Sequence, residues 1–287
     1  MLSLVRPLRS GLLFSLFTKS ASLIQKPTLL WSVQPPGTPF ASYILGTMHS
    51  STEAAFSRME KIQDFVLKCS AFAAEYALEL SPEGATDPWI RIPDGKTLDQ
   101  LVTPKTYARM QRAFKRYLGF DLHPYREVLP ILLAQFADEH FLRPHSPGSR
   151  LPMDQYLWNF AKQHEKILLG IETLEEQLQV LEKIPLGQQV QNLVHLSRNI
   201  GGHRRQALRT ARLYAQGDPI KIYRSTRKNS GTARKALLFD RNRIMAERIL
   251  RMSALQPTFF AIGAAHLAGE KGVLRLLKHQ GCRVNGE

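Results

Sequence analysis

Two apolar, strand-like runs in this chain end in Gly-x-x-His, and that pair constrains the fold more than any other feature. The first is Tyr43-Ile44-Leu45 followed by Gly46-Thr47-Met48-His49. The second is Phe259-Phe260-Ala261-Ile262 followed by Gly263-Ala264-Ala265-His266. One such tetrapeptide says little, because 18 Gly and 9 His among 287 residues yield about 0.6 by chance. The shared setting is what matters: each sits at the end of a buried-type strand, just before a helix start. An α/β sheet gathers its ligands at strand C-termini, so two imidazoles delivered there can converge on one ligand or metal ion.

The rest of the pattern supports an α/β fold (mixed α+β). A central β-sheet is built from N- and C-terminal strands, with helices packed around it and a mostly helical insert between. Strands are expected over 28–33, 42–45, 71–78, 167–170, 258–262 and 282–284, with 167–170 of buried type. Ser50-Ser51-Thr52-Glu53 reads as a capping box, with Phe56, Met59, Ile62 and Val66 at helical spacing behind it. This sets His49 at a helix N-terminus, whose dipole disfavours the imidazolium and predicts a neutral ring. Further helices are expected over 97–142 with breaks at Gly119 and Pro124, over 153–162, and from a Thr173/Glu176 capping box. Others follow over 186–215, interrupted at Gly201-Gly202, and over 232–252, with a last one opened by Gly269-Glu270. Residues 143–149 read as an exposed loop. The apolar stripe Leu238, Asn242, Met245, Ile249, Met252 contains one amide, which needs partners inside the fold. Residues 1–27 read as a leader, either a weak signal or a disordered tail. Residues 28–287 read as a single domain with its helical insert at about 97–250.

Net charge is +15, and no Asp or Glu precedes Glu53. The segment 198–235 is densely basic, yet no nucleic-acid module accompanies it and aromatics are not interleaved with the charge. A solvated helical face is therefore favoured, with no specific nucleic-acid partner. In the leader, Arg6, Arg9, Lys19 and Lys26 flank the apolar stretch 11–17, which is at the short limit for a signal peptide and too short to span a bilayer. A cytoplasmic location is slightly preferred to export, and weak contact of the basic N-terminus with an anionic membrane stays open. Cys69 and Cys282 are the only cysteines. They exclude a disulfide framework and a Cys-rich zinc site, and two free buried thiols are favoured over a bridge. No His-Glu-x-x-His, Gly-x-Ser-x-Gly, P-loop or Gly-x-Gly-x-x-Gly occurs, which removes the commonest zinc-protease, serine-hydrolase and nucleotide readings.

Two His with a carboxylate make a divalent metal site with open positions. Glu75 is the one acid in the apolar run 71–78, and burying its charge is costly without a partner. It reads as a metal ligand, as a general base, or as half of a buried salt bridge with Arg241 or Arg243. A bound ion would acidify a water and polarise a carbonyl, as amide hydrolysis requires. The bland alternative for each His is a backbone carbonyl partner. The other seven His lie in loops or on polar helical faces without metal spacing.

Taken together, Leu30-Trp31-Ser32-Val33, Ser42 to His49, Glu75, Gly170-Ile171-Glu172-Thr173 and Glu176-Gln177 resemble the TraB/GumN family, related to the Tiki proteins. Tyr214-x-x-Gly217-Asp218, Arg241-Asn242-Arg243-x-Met245-Ala246, the block Ile262 to Val273 and Gly281-Cys282-Arg283-Val284 extend the likeness over roughly 29–284. The resemblance implies a Tiki/TraB/erythromycin-esterase-like fold. It implies a metal-dependent peptidase or hydrolase acting on peptides or protein N-termini, supported by Mn²⁺ or Co²⁺, with Zn²⁺ as a further option. Tiki proteins trim the N-termini of secreted signalling proteins, and TraB-type relatives dampen peptide pheromone signalling. On that reading His49, His266 and Glu75 are the metal ligands, and Glu75 is also catalytic. Arg241 and Asn242 hold substrate carbonyls or orient Glu75, while Glu172 and Asp154 support the site from behind. Asp240 and Met153 depart from the family pattern without touching the ligands. The alternative is a non-catalytic protein that sequesters a peptide signal.

Overall fold

In the computed structural model, residues 27–49, 52–80, 90–142, 151–227 and 235–287 are described. Their strands are β1 (Leu30–Gln34), β2 (Ser42–Thr47), β3 (Ala71–Ala74), β4 (Ile167–Gly170), β5 (Thr258–Gly263) and β6 (Arg283–Gly286). They form one mixed sheet in the order β4-β3-β5-β2-β1-β6. The strands β4, β3, β5 and β2 are mutually parallel, and β1 runs antiparallel between β2 and β6. β3 (Ala-Phe-Ala-Ala) is wholly buried and β5 nearly so, as parallel strands covered on both faces must be.

Two strands depart from expectation. β4 is not a buried-type strand: it lies at the sheet edge, and Ile167 is 51% exposed. β3 stops at Ala74 rather than near Leu78, and the chain passes into a 3-10 turn, Leu78–Leu80. Glu75 is therefore the first residue beyond the strand, at the C-terminal edge of the sheet.

The helices are α1 (Glu53–Phe56), α2 (Met59–Leu67), α3 (Pro104–Leu118), α4 (Pro130–Phe141), α5 (Met153–Gln163) and α6 (Leu174–Glu182). They continue with α7 (Leu186–Arg198), α8 (Ile200–Ala215), α9 (Pro219–Arg227), α10 (Arg241–Leu255) and α11 (Val273–His279). Around the sheet, the Phe72 ring stacks on Phe259 at 5.8 Å and meets Trp158 edge-on at 6.2 Å. A second apolar cluster, with Met110, Phe114, Leu122, Leu133 and Leu193, joins α3, α4 and α7. Between α4 and α7 the chain returns to the sheet through α5 and β4.

Local chemistry explains where helices begin and end. The expected start at 97 moves to Pro104 because Thr103 caps α3 through its side chain, and Gly119, at φ 65°, ends that helix. The 186–215 stretch breaks at Asn199, not at Gly201-Gly202. Asn199 leaves helical geometry and its side chain accepts from the Gly202 N–H, capping α8. The Thr173/Glu176 capping box is present in both directions. A π-helical segment, Lys235–Asp240, precedes α10, and α11 opens after Gly272 rather than at Gly269-Glu270. The expected cap at Ser50-Ser51, the loop 143–149, residues 232–234 and the leader 1–26 lie outside the described residues. Cys69 and Cys282 are free and buried. Burial pushes the Cys69 thiol up to about 12 despite the nearby lysines, so it is unreactive at neutral pH. No helix among the described residues is long and apolar enough to cross a membrane.

The glycine of the first Gly-x-x-His permits close packing. A Cβ on Gly46 would lie 2.5 Å from Leu267 Cδ1 and 3.1 Å from the Ala264 Cα. Leu267 can give way, but the backbone at Ala264 cannot. Gly46→Ala is therefore expected to cost about 1–3 kcal/mol, read as a lower urea midpoint at unchanged m-value.

Candidate functional site

β2 and β5 are adjacent and parallel, pairing Gly46 with Ile262 and Thr47 with Gly263. The two Gly-x-x-His segments thus leave the same sheet edge one residue out of step. On the other side of β5, Ala74 pairs with Ala261, which brings Glu75 out beside Gly263. β4 follows, and the Glu172 N–H donates to the Glu75 carbonyl at 2.7 Å. Four parallel strands therefore deliver His49, Glu75, His266 and Glu172 to their common C-terminal edge, where open α/β sheets place ligands. α10 begins at the same edge with Arg241 and Asn242.

Glu75 is fully engaged. Its Oε1 accepts from the Gly263 N–H at 2.7 Å and lies 3.8 Å from His266 Nε2. Its Oε2 accepts from Arg241 Nη2 at 2.6 Å and from Gln177 Nε2 at 3.3 Å. Gly263 eases this approach, since a Cβ there would lie 3.1 Å from Oε1 and press on the carboxylate. Arg241 also grips Glu172, through Nε at 3.0 and 3.2 Å and Nη2 at 2.6 Å. Burial pushes the Glu75 carboxyl up, but the Arg241 charge, the neighbouring imidazole and the Gly263 N–H hold it down at about 2. In this state Glu75 is a fixed negative charge and a ligand donor. As a proton acceptor near neutrality it is weak.

His266 is buried, and Asn242 sets its tautomer. Asn242 Nδ2 donates to the Lys271 carbonyl at 2.7 Å, which turns Oδ1 toward His266 Nδ1 at 2.5 Å. An amide oxygen only accepts, so Nδ1 carries the proton and Nε2 keeps its lone pair on the Glu75 side. Burial lowers the imidazolium to about 4 against the pull of Glu75, leaving the ring neutral. Asn242 is 1% exposed, and its amide orients His266.

His49 stands differently from expectation. Its side chain is 53% exposed, with Nδ1 hydrogen-bonded to Asp154 Oδ2 at 3.3 Å and Nε2 3.3 Å from Glu139 Oε1. The Asp154 hydrogen bond, opposed by burial and assisted by the charges of Glu139, Asp154 and Glu75, raises its pKa. The shift runs opposite to the one expected from a helix dipole. α1 starts only at Glu53 and lasts one turn, and two carboxylates outweigh so short a dipole.

The structure therefore joins Glu75, Arg241, Glu172, Asn242 and His266 into one network. It sets His49 with Asp154 beside that network, on the adjacent strand end. Among the described residues, no group of three or more His, Cys, Asp or Glu is arranged to hold a metal ion. Sequence reasoning missed three residues. Gln177 bridges Glu75 and Glu172 at 3.3 Å each; its signal was its place beside the capping-box Glu176, itself held by both Arg248 Nη atoms at 2.7 Å. Tyr214 donates to the Gly46 carbonyl at 2.8 Å, and its position in the Tyr-x-x-Gly-Asp block was the available clue. Glu139 carries no such signal.

Two outcomes follow for the metal-free protein. Arg241→Ala strands the buried Glu172 and the half-buried Glu75 and is expected to cost about 3–5 kcal/mol in urea unfolding. The His266 imidazolium, lowered from 6.5 to about 4, makes the unfolded chain the better proton binder between those values. Stability then falls as pH drops from 6.5 to 4, by roughly 3 kcal/mol from this group. The Glu75 contribution is lost lower, from 4.5 toward 2. Urea titrations across pH should show His266→Gln flattening the upper window.

Among curated proteins and solved structures, nothing matches the chain. The family model of the TraB/PrgY/gumN family matches residues 29–286, which takes in all six strands and every site residue above. The chain belongs to the TraB/PrgY/gumN family.

Proposed function

We propose that this protein is a metal-dependent peptidase or related hydrolase acting on peptides or protein N-termini. The observation that carries the reading is the lone pair of a neutral, buried His266 Nε2 facing Glu75 at the C-terminal edge of the parallel strands. The charge balance agrees. Glu75 and Glu172 share the Arg241 guanidinium, and Asp154 and Glu139 flank His49, a local concentration of acids inside a chain of net charge +15.

The donors fit a divalent ion by type: two imidazoles and a carboxylate suit Mn²⁺, Co²⁺ or Zn²⁺. His266 and Glu75 would be the inner donors, and His49, on the neighbouring strand end, the third. When bound, such an ion supplies an acidified water and a polarised carbonyl. The chain's own residues set the stage for it. Arg241 and Gln177 pin Glu75, Glu172 balances the Arg241 charge, Asn242 holds the His266 tautomer, and Asp154 orients His49. The exposed His49 marks the side open to a peptide.

One observation favours a second reading, a non-catalytic protein that sequesters a peptide signal. Glu75 is clamped by Arg241 and Gln177, and a carboxylate so held is a poor base. Weak contact with anionic membrane through the basic leader is also a proposal, independent of this site.

Digestion of a peptide library by the purified chain, with Mn²⁺ or Co²⁺ and with a chelator, separates the readings. Cleavage that the chelator abolishes, and that His49→Ala and His266→Ala reduce by about 100-fold or more, is the expected result. Peptide binding without product under both metals would establish sequestration instead.

A further inference from the structure

Positive charge that the site does not use gathers on the outer face of α3. No Asp or Glu lies between Asp99 and Asp121. The buried side of α3 is Tyr107, Met110, Phe114 and Leu118, packed into the second apolar cluster. The opposite side carries Lys105, Arg109, Arg112 and Arg116, all exposed, with exposed Lys115 beside them. At helical pitch those four positions fall on one line about 16 Å long. Among the described residues, none of the five forms an ion pair. Lys105/Arg109, Arg109/Arg112, Arg112/Lys115 and Arg112/Arg116 are like-charge neighbours at i,i+3 or i,i+4 spacing, which destabilises a helix. Lys105 also sits in the first turn, against the dipole. An anionic partner relieves both costs.

Two exposed aromatics mark the far end of the row. Tyr117, in the last turn, is 53% exposed, and Tyr125 beyond it is 45% exposed. Tyr125 packs on Phe120 at 4.6 Å, and Phe120 on Phe114 of α3 at 5.9 Å. A tyrosine, with an apolar ring and a wet hydroxyl, suits the headgroup zone of a bilayer. We propose that the outer face of α3 docks this protein on a membrane surface rich in anionic phospholipid. The apolar side of the helix is committed to the core, so the contact is electrostatic and superficial, without insertion. A convex row of charges meets a plane along its whole length, whereas a small ligand needs a concavity. The row carries no amide or aromatic between its charges to read or stack bases, which disfavours nucleic acid. This face shares no residue with the site or with the leader.

Co-sedimentation of the full-length protein with phosphatidylcholine vesicles, with and without phosphatidylserine, tests this at low and high salt. The parent is expected to bind only the anionic vesicles and to dissociate as salt rises. Lys105→Gln/Arg109→Gln/Arg112→Gln/Arg116→Gln keeps good helix formers on α3 and is expected to weaken binding by about 100-fold or more. Arg204→Gln/Arg205→Gln/Arg209→Gln/Arg212→Gln removes the same charge from exposed positions of α8 and is expected to weaken it by less than about 10-fold. Equal binding to both vesicle types, an unaffected α3 variant, or an equal loss from the α8 variant would overturn the assignment. So would tighter binding of the parent to duplex DNA than to anionic vesicles at the same salt, which would make this a nucleic-acid surface. If circular dichroism shows the fourfold α3 variant misfolded, Lys105→Gln/Arg109→Gln and Arg112→Gln/Arg116→Gln decide the matter. Each is expected to weaken binding by about 10-fold or more, and parent-like binding by both would reject the proposal.

Discussion

The site depends on a single guanidinium shared by two carboxylates. Arg241 bonds Glu75 and Glu172 with three of its contacts at 3.0 Å or less, and its own side chain is only 13% exposed. Such a cluster is not a cheap source of stability, because desolvating three charges costs about what their attraction returns. What it supplies is position. Glu75 follows β3, Glu172 follows β4 and Arg241 opens α10, so the cluster ties two strand ends and a helix start into one rigid corner. Removing the arginine leaves two acids in a low-dielectric setting, which is why this contact carries more than its share of the fold.

A second constraint works through hydrogen-bond direction rather than charge. Lys271 offers a carbonyl, so Asn242 must present its amide nitrogen there and its oxygen to His266. The imidazole then has no choice of tautomer, and its lone pair faces Glu75. Each step is dictated by what the preceding group can donate or accept. Close backbone approach makes the chain of bonds short. Gly263 brings its N–H to 2.7 Å from Glu75, and Gly46 lets the segment after β5 settle against β2. The glycines of both Gly-x-x-His segments thus serve packing as much as turn formation, and neither has positive φ.

Much of this was legible before the structure. The second Gly-x-x-His segment, the lone Glu75 in an apolar run, and Asn242 on an apolar helical face each proved to be part of one network, with His49 of the first segment beside it. Helix capping at Thr173 was legible for the same reason, since the box is written within four residues. The misreadings were those that needed a neighbour to be known. β4 looked buried by composition, but only its place at the sheet edge sets its exposure. His49 looked neutral from its local helix signal, yet its charge is governed by Asp154 and Glu139, which lie 105 and 90 residues away along the chain. Gly201-Gly202 looked like the helix break, but the Asn199 side chain took that role one turn earlier.

The sequence by itself therefore determined the family, the strand-then-turn placement of both imidazoles, and the identity of the charged groups that had to find partners. Those are properties of short segments and of residue chemistry. The tertiary structure alone decided which partners they found: Arg241 between Glu75 and Glu172, Asn242 on His266, and Glu139 against His49. Each of these contacts joins residues distant along the chain through a sheet order, β4-β3-β5-β2, that no local pattern encodes. Register and strand order are global outcomes of burying two-sided apolar strands, and the electrostatics of the site follow from them.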